Sequence, residues 1–164
     1  MNTFPPFPEW RWEVPEFFNI GVACTDAHLG TPVESRVAMI VEDDALGTSS
    51  ITYGELAART TRFAQHLANL GVEPGDRVLV RLPNSIDYPT AFLGALKLGA
   101  IAVPTSTLLT AEEVGYLLKD SGAKAMVIDE AAWNAMGATL QGAGDLRHMI
   151  PAGPALDREL AKVT

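Results

Sequence analysis

Gly71-Val72-Glu73-Pro74-Gly75-Asp76-Arg77-Val78-Leu79-Val80-Arg81-Leu82 decides the fold of this 164-residue chain. The stretch ends a helix, turns, and opens a strand. Gly71 suits the left-handed position just past a helix C-terminus. Pro74 fixes φ and Gly75 supplies the freedom that a tight turn needs. Arg77 to Leu82 reads as the strand that follows, and the later strands at 101–103 and 125–128 are apolar without a break, as expected when helices cover both sheet faces.

Working back from this stretch, Thr52 and Glu55 make a T-x-x-E capping box at a helix start. Leu56, Thr60, Phe63, Leu67 and Leu70 recur at spacings of four and three, which predicts one buried stripe on a helix over 53–70. His66 falls on the flank of that stripe. Arg36 to Val41 reads as an apolar strand, Glu42 to Ser49 as a turn with a solvated acidic pair at Asp43 and Asp44, and Ser50-Ile51-Thr52 as the returning strand of a hairpin. A short helix begins near Phe18 and ends at Gly30-Thr31-Pro32. Residues 1–16 carry several prolines and aromatics and read as an extended arm, with Trp10, Trp12, Phe17 and Phe18 needing a surface to cover.

Working forward, Ser85 is placed to cap a helix over 86–98 that stops at Gly99, with Pro89 tolerated in its first turn. Ala100 to Val103 is a short apolar strand broken by Pro104. Thr110 and Glu113 repeat the capping box, and that helix ends near Gly122. Lys124 to Ile128 is the next strand, and Asp129 caps a helix reaching Leu140. Arg147 to Ile150 is a weaker strand, and a last amphipathic segment reaches Val163. Strands alternating with helices at this spacing pair in parallel through right-handed crossovers. The expected fold is therefore α/β: a mostly parallel sheet of repeated βα units with flanking helices. Residues 1–35 form an arm and short helix, and 36–164 an incomplete α/β subdomain.

Composition narrows the function. The chain is 48% hydrophobic and 20% charged, which fits a globular domain. A net charge of −8 disfavours nucleic acid or an anionic membrane as partner. The single cysteine, Cys24, cannot form an internal disulfide, and it reads as a small buried apolar residue. The N-terminus lacks the basic start and apolar core of a signal peptide, and no run approaches the roughly 20 apolar residues of a membrane span. These features favour the cytoplasm.

The search for chemistry returns little. Neither G-x-G-x-x-G after a strand nor a G-x-x-x-x-G-K-[ST] phosphate loop occurs, which counts against a Rossmann-type reductase or kinase. His28, His66 and His148 lack metal-ligand spacing, and no metal or catalytic residue is assigned. Gly94 to Ala100 contains glycine and lysine but falls in a helix and its cap. Glu112 and Glu113 belong to a helix start. One loop stands out, Pro104-Thr105-Ser106-Thr107-Leu108-Leu109-Thr110. It follows the carboxyl end of what reads as a central strand, where open α/β sheets bind ligands.

Four of these blocks, in order, resemble the N-terminal region of the adenylate-forming acyl- and aryl-CoA synthetases. Thr52-Tyr53-Gly54-Glu55-Leu56 is similar to that family's Thr-Tyr-x-Glu-Leu start. Gly71 to Val78 is similar to its Gly-Val-x-x-Gly-Asp-x-Val turn, Gly99 to Pro104 to its Gly-Ala-x-x-x-Pro strand, and Ser121-Gly122-Ala123-Lys124 to its Ser-x-Ala-Lys turn. Phe17-Phe18-Asn19 with Asp26 and His28, and Thr107 to Thr110, resemble benzoate-CoA-ligase-like members. Medium-chain acyl-CoA synthetases and peptide-synthetase adenylation domains stay open as alternatives within the resemblance.

The resemblance implies the N-terminal part of that family's large domain and a two-step reaction. A carboxylate attacks the α-phosphate of ATP with Mg²⁺, releasing pyrophosphate, and the thiol of CoA then displaces AMP. It implies a Ser/Thr/Gly-rich loop with a lysine for the phosphates, a Thr-Glu pair for Mg²⁺, an Asp for the ribose and a lysine on a mobile C-terminal domain. None of these motifs lies within residues 1–164. The chain alone is therefore expected to be inactive and to bind no cofactor, and apolar faces meant for a larger protein would promote self-association. The resemblance also places Thr105, Ser106, Thr107 and Leu108 near the CoA entry channel. The competing reading is a self-contained, non-catalytic α/β binding or scaffold module.

Overall fold

A computed structural model describes residues 11–13, 15–43 and 47–163. The helices are α1 (Ile20–Cys24), α2 (Tyr53–Asn69), α3 (Asp87–Leu98), α4 (Ala111–Ser121), α5 (Glu130–Leu140) and α6 (Pro154–Leu160). The strands are β1 (Val37–Asp43), β2 (Gly47–Thr52), β3 (Arg77–Arg81), β4 (Ile101–Pro104), β5 (Ala125–Ile128) and β6 (His148–Pro151). β1 and β2 pair antiparallel as a separate hairpin. The other four strands form one parallel sheet in the order β4-β3-β5-β6.

Local chemistry explains the element ends. Thr52 and Thr110 each close a full capping box, their hydroxyls accepting from the Glu55 and Glu113 amides. Asp129 caps α5 by accepting from the Ala132 amide at 2.8 Å. Gly99 and Gly122 end α3 and α4 at φ 88° and 60°, a region that disfavours side chains with a Cβ.

The sheet carries a core on each face. Side chains alternate along a strand, so Val78 and Val80 join Phe63, Leu67, Ala91, Ala95 and Leu156 on one side. Leu79, Met126 and Ile128 meet Val114, Leu118 and Leu140 on the other. The predicted stripe of α2 is the buried one: Leu56, Thr60, Phe63 and Leu67 all turn inward, Leu70 is half-buried, and His66 lies on its flank. Helices α2 and α3 approach closely because Gly94 has no side chain. A Cβ there would sit 2.8 Å from Phe63 Cδ1 and 2.9 Å from the Thr60 carbonyl oxygen.

Several expectations are corrected. β4 is an edge strand, with Ile101 half exposed, so the apolar run 101–103 is not a central strand. β5, by contrast, is buried at all four positions, as its sequence requires. Ser85 does not cap α3, which starts at Asp87 without a side-chain cap. Pro89 occupies the third helical position and has no amide for such a cap to bind. The first helix is shorter than read: α1 stops at Cys24 and a 3₁₀ turn, Asp26–His28, follows.

Cys24 is exposed. The buried face of α1 passes through Gly21 and Thr25, four residues apart, and Cys24 lies off it. Trp12, Phe17 and Phe18 are largely exposed among the described residues, while Trp10, most of the arm and Asp44 lie outside them. No helix among the described residues is long and apolar enough to cross a membrane.

Candidate functional site

The strand order creates a switch point. From β3 the chain moves to β4 on one side, then crosses back to β5 and β6 on the other. Open α/β sheets bind ligands in the crevice outside the carboxyl ends of the two strands at such a reversal. A cleft of about 590 Å³ lies there. Its floor is Leu82-Pro83-Asn84-Ser85 after β3, Asp129 and Glu130 after β5, and Ala152 and Gly153 after β6. The hairpin contributes Val41, Gly47 and Ser49 to one wall.

Charge in this cleft is mostly negative. Among the described residues, Asp87, Asp129, Glu130 and Asp157 line it, against Arg59 as the one lining cation. Arg59 is already committed. Its Nη2 lies 2.6 Å from Asp87 and its Nη1 2.6 Å from Asp157, while Nε donates to Thr90 Oγ1 at 3.3 Å. Asp87 in turn accepts from the Gly153 amide at 2.7 Å. A polyphosphate needs converging donors and uncommitted cations. This lining does not fit a nucleotide triphosphate with its Mg²⁺. Among the described residues there is also no group of three or more His, Cys, Asp or Glu that could hold a metal ion.

The loop singled out in the sequence lies beside this cleft, after edge strand β4. Thr105 keeps the sheet register by donating its amide to the Val80 carbonyl at 3.0 Å. Ser106 Oγ accepts from the Leu108 amide at 3.1 Å, and Leu108 is 90% exposed. Beneath the loop, Arg81 at the end of β3 is 5% exposed. Its Nη2 donates to the carbonyls of Thr107 and Leu109, and its Nη1 stands 3.6 Å from Asp129 Oδ2.

Other sequence candidates have structural partners. Lys97 donates to Thr60 and Thr61 and pairs with Asp26 at 2.6 Å, so the glycine-lysine stretch braces α3 against α2 and the 3₁₀ turn. His28 packs edge-on against Tyr53 with ring centroids 4.7 Å apart. His148 opens β6, and His66, half-buried, has its pKa lowered chiefly by desolvation. Sequence reasoning gives Ser85 only a capping role and misses the Leu82-to-Ser85 floor, because the crevice depends on strand order. The usable signal was a polar turn after one buried strand and an acid pair after another.

Glu113 closes the site loop. Its carboxylate accepts from the Thr110 amide at 2.8 Å and hydroxyl at 2.9 Å, which holds its pKa below the usual glutamate range. A carboxyl depressed in the folded state adds stability that is complete above its unfolded-state pKa and is lost as pH falls through the folded value. The start of α4 should hold at neutral pH and loosen in acid. Glu113→Gln preserves the box but cannot titrate. Melting curves across pH should show a smaller acid loss for the variant, and identical acid dependence would exclude the box as a contributor.

With this geometry in place, the relatives are informative. The chain belongs to the AMP-binding enzyme family, whose description matches residues 30–162. It is 40% identical over 120 residues to a benzoate–CoA ligase of Thauera aromatica, covering 73% of this chain and 22% of that one. It is 46% identical over 77 residues to the long-chain-fatty-acid–CoA ligase FadD13 of Mycobacterium tuberculosis (strain ATCC 25618 / H37Rv), covering 47% and 15%. A solved benzoate CoA ligase from Burkholderia xenovorans LB400 superposes with a TM-score of 0.73 at 31% identity, over 90% of this chain and 29% of that one. The chain thus spans about a fifth of the length of the curated relatives it matches.

Proposed function

We propose that these residues are the N-terminal scaffold of an AMP-forming carboxylic acid–CoA ligase. In that reaction a carboxylate oxygen attacks the α-phosphorus of ATP and pyrophosphate leaves. The thiolate of CoA then attacks the acyl carbon and AMP leaves. Both steps bring anions together, so fixed donors and Mg²⁺ must neutralise developing charge. The family match over residues 30–162 carries this reading, and the acid-lined switch-point cleft fits a scaffold role, since the one lining cation among the described residues is already held by two carboxylates. The groups that bear the phosphates therefore belong to the part of the family fold these residues do not supply.

Within this reading, 1–35 is an arm and short helix, and 36–164 is a subdomain that precedes the phosphate-binding loop. Thr105, Ser106, Thr107 and Leu108 line the approach of CoA. The acid is aromatic, in line with the benzoate–CoA ligase of Thauera aromatica. The whole enzyme works in the cytoplasm, and the isolated chain self-associates through apolar side chains such as Val37 and Ile40, which are more than half exposed.

The natural protein carrying this segment should release pyrophosphate only when ATP and a carboxylic acid are both present. It should form a thioester when CoA is added, with benzoate preferred over aliphatic acids. Adenylate formation without a CoA thioester would indicate a peptide-synthetase adenylation domain instead. Acid-independent pyrophosphate release would contradict the ligase reading altogether.

A further inference from the structure

Arg81 stands where the strand pattern calls for an apolar side chain. Leu79 faces the core built by α4 and α5, and two residues on Arg81 turns to the same face. A guanidinium 5% exposed is stable only when its charge and donors are met. Both of its hydrogen bonds go to backbone carbonyls of one loop, those of Thr107 and Leu109. Its counter-charge is Asp129, 3.6 Å from Nη1. Its Nε has no hydrogen-bond partner among the described residues.

Apart from Arg81, the loop is held at its two ends, by the Thr105 amide on the Val80 carbonyl at 3.0 Å and by Leu109, which packs half-buried against the core of α4 and α5. Ser106, Thr107 and Leu108 are exposed, and they bury no apolar side chain against the core. The internal bonds are short-range, from the Leu108 amide to Ser106 Oγ and from the Leu109 amide to the Ser106 carbonyl at 3.5 Å. Asp129 is itself fixed, because its other oxygen caps α5. Arg81 therefore ties the approach to α4 to the start of α5 across the switch point.

We propose that Arg81 is the positioning residue of the 105–109 loop, setting its backbone form from β3 with Asp129 as the fixed counter-charge. What that form serves, the shape of the CoA approach, rests on the reading given above. The fork of the guanidinium is essential, since two carbonyls and one carboxylate are engaged at once. A lysine ammonium at the same position reaches fewer of them.

The test is backbone ¹⁵N relaxation on the 164-residue chain and on its Arg81→Met and Arg81→Lys variants. In the parent chain, Ser106 to Leu109 should have order parameters in the rigid range, near 0.85. In Arg81→Met they should fall below about 0.6, while Leu79, Val80, Met126 and Val127 stay rigid. Arg81→Lys should lie between. A loop equally ordered in Arg81→Met, a loop already mobile in the parent, or equal loosening of loop and sheet would each overturn the proposal. Should Arg81→Met fail to fold, Arg81→Lys must still show its intermediate loss of order in Ser106 to Leu109, with the sheet residues rigid, or the proposal falls. No CoA is used, so failure of the CoA-channel reading would leave this result unchanged.

Discussion

Leu67→Ala is expected to lower the unfolding free energy of the chain by about 2–5 kcal/mol. Leu67 is fully buried and lies in the core between α2, α3 and the sheet. Its removal deletes methyl groups from a site bounded by Phe63, Val72 and the strands, where neighbouring backbone is held by sheet and helix bonds. Such a cavity collapses only in part, so the lost transfer energy is joined by a packing loss. For a domain of this size that is a large share of total stability. Urea unfolding of the two chains reads the difference directly. A loss below about 1 kcal/mol would mean that the α2 stripe does not carry the core.

The same helix shows why so much of the fold was legible. Its start is written in a capping box and its end in a glycine, and its buried face follows from side-chain spacing alone. These are local signals, each satisfied within a few residues of chain. β5 was legible for a related reason, since four consecutive apolar residues between turn signals suit a strand covered on both faces. β4 looks alike in sequence yet lies at the sheet edge. Composition does not encode which neighbour a strand finds, and that choice moved the candidate crevice from after β4 to between β3 and β5.

Burial of single polar groups was less legible still. Cys24, a small thiol, turned outward because the α1 face is set by Gly21 and Thr25. Arg81 turned inward against the hydrophobic pattern because two loop carbonyls and Asp129 lie within reach. The decision rests on residues distant in sequence, because Gly21 fixes the α1 face by its close approach to Leu93 and Lys97 of α3, and Arg81 is held by Thr107, Leu109 and Asp129. The loop at 105–108 was found from its place after a strand, but the cation beneath it was not.

The second large effect concerns chemistry. An attacking carboxylate and a triphosphate cannot be brought together without groups that offset their combined charge. Among the described residues, the cleft at the switch point offers four carboxylates and one cation already held by two of them. ATP should therefore find no favourable site on this chain, and the acid should not be activated. The whole protein's adenylation would then depend on residues outside 1–164.

The most direct measurement is acyl-adenylate formation by the purified 164-residue chain, supplied with ATP, Mg²⁺ and benzoate and followed by pyrophosphate release. The account predicts release no faster than without protein. Acid-dependent pyrophosphate release by this chain alone would contradict it.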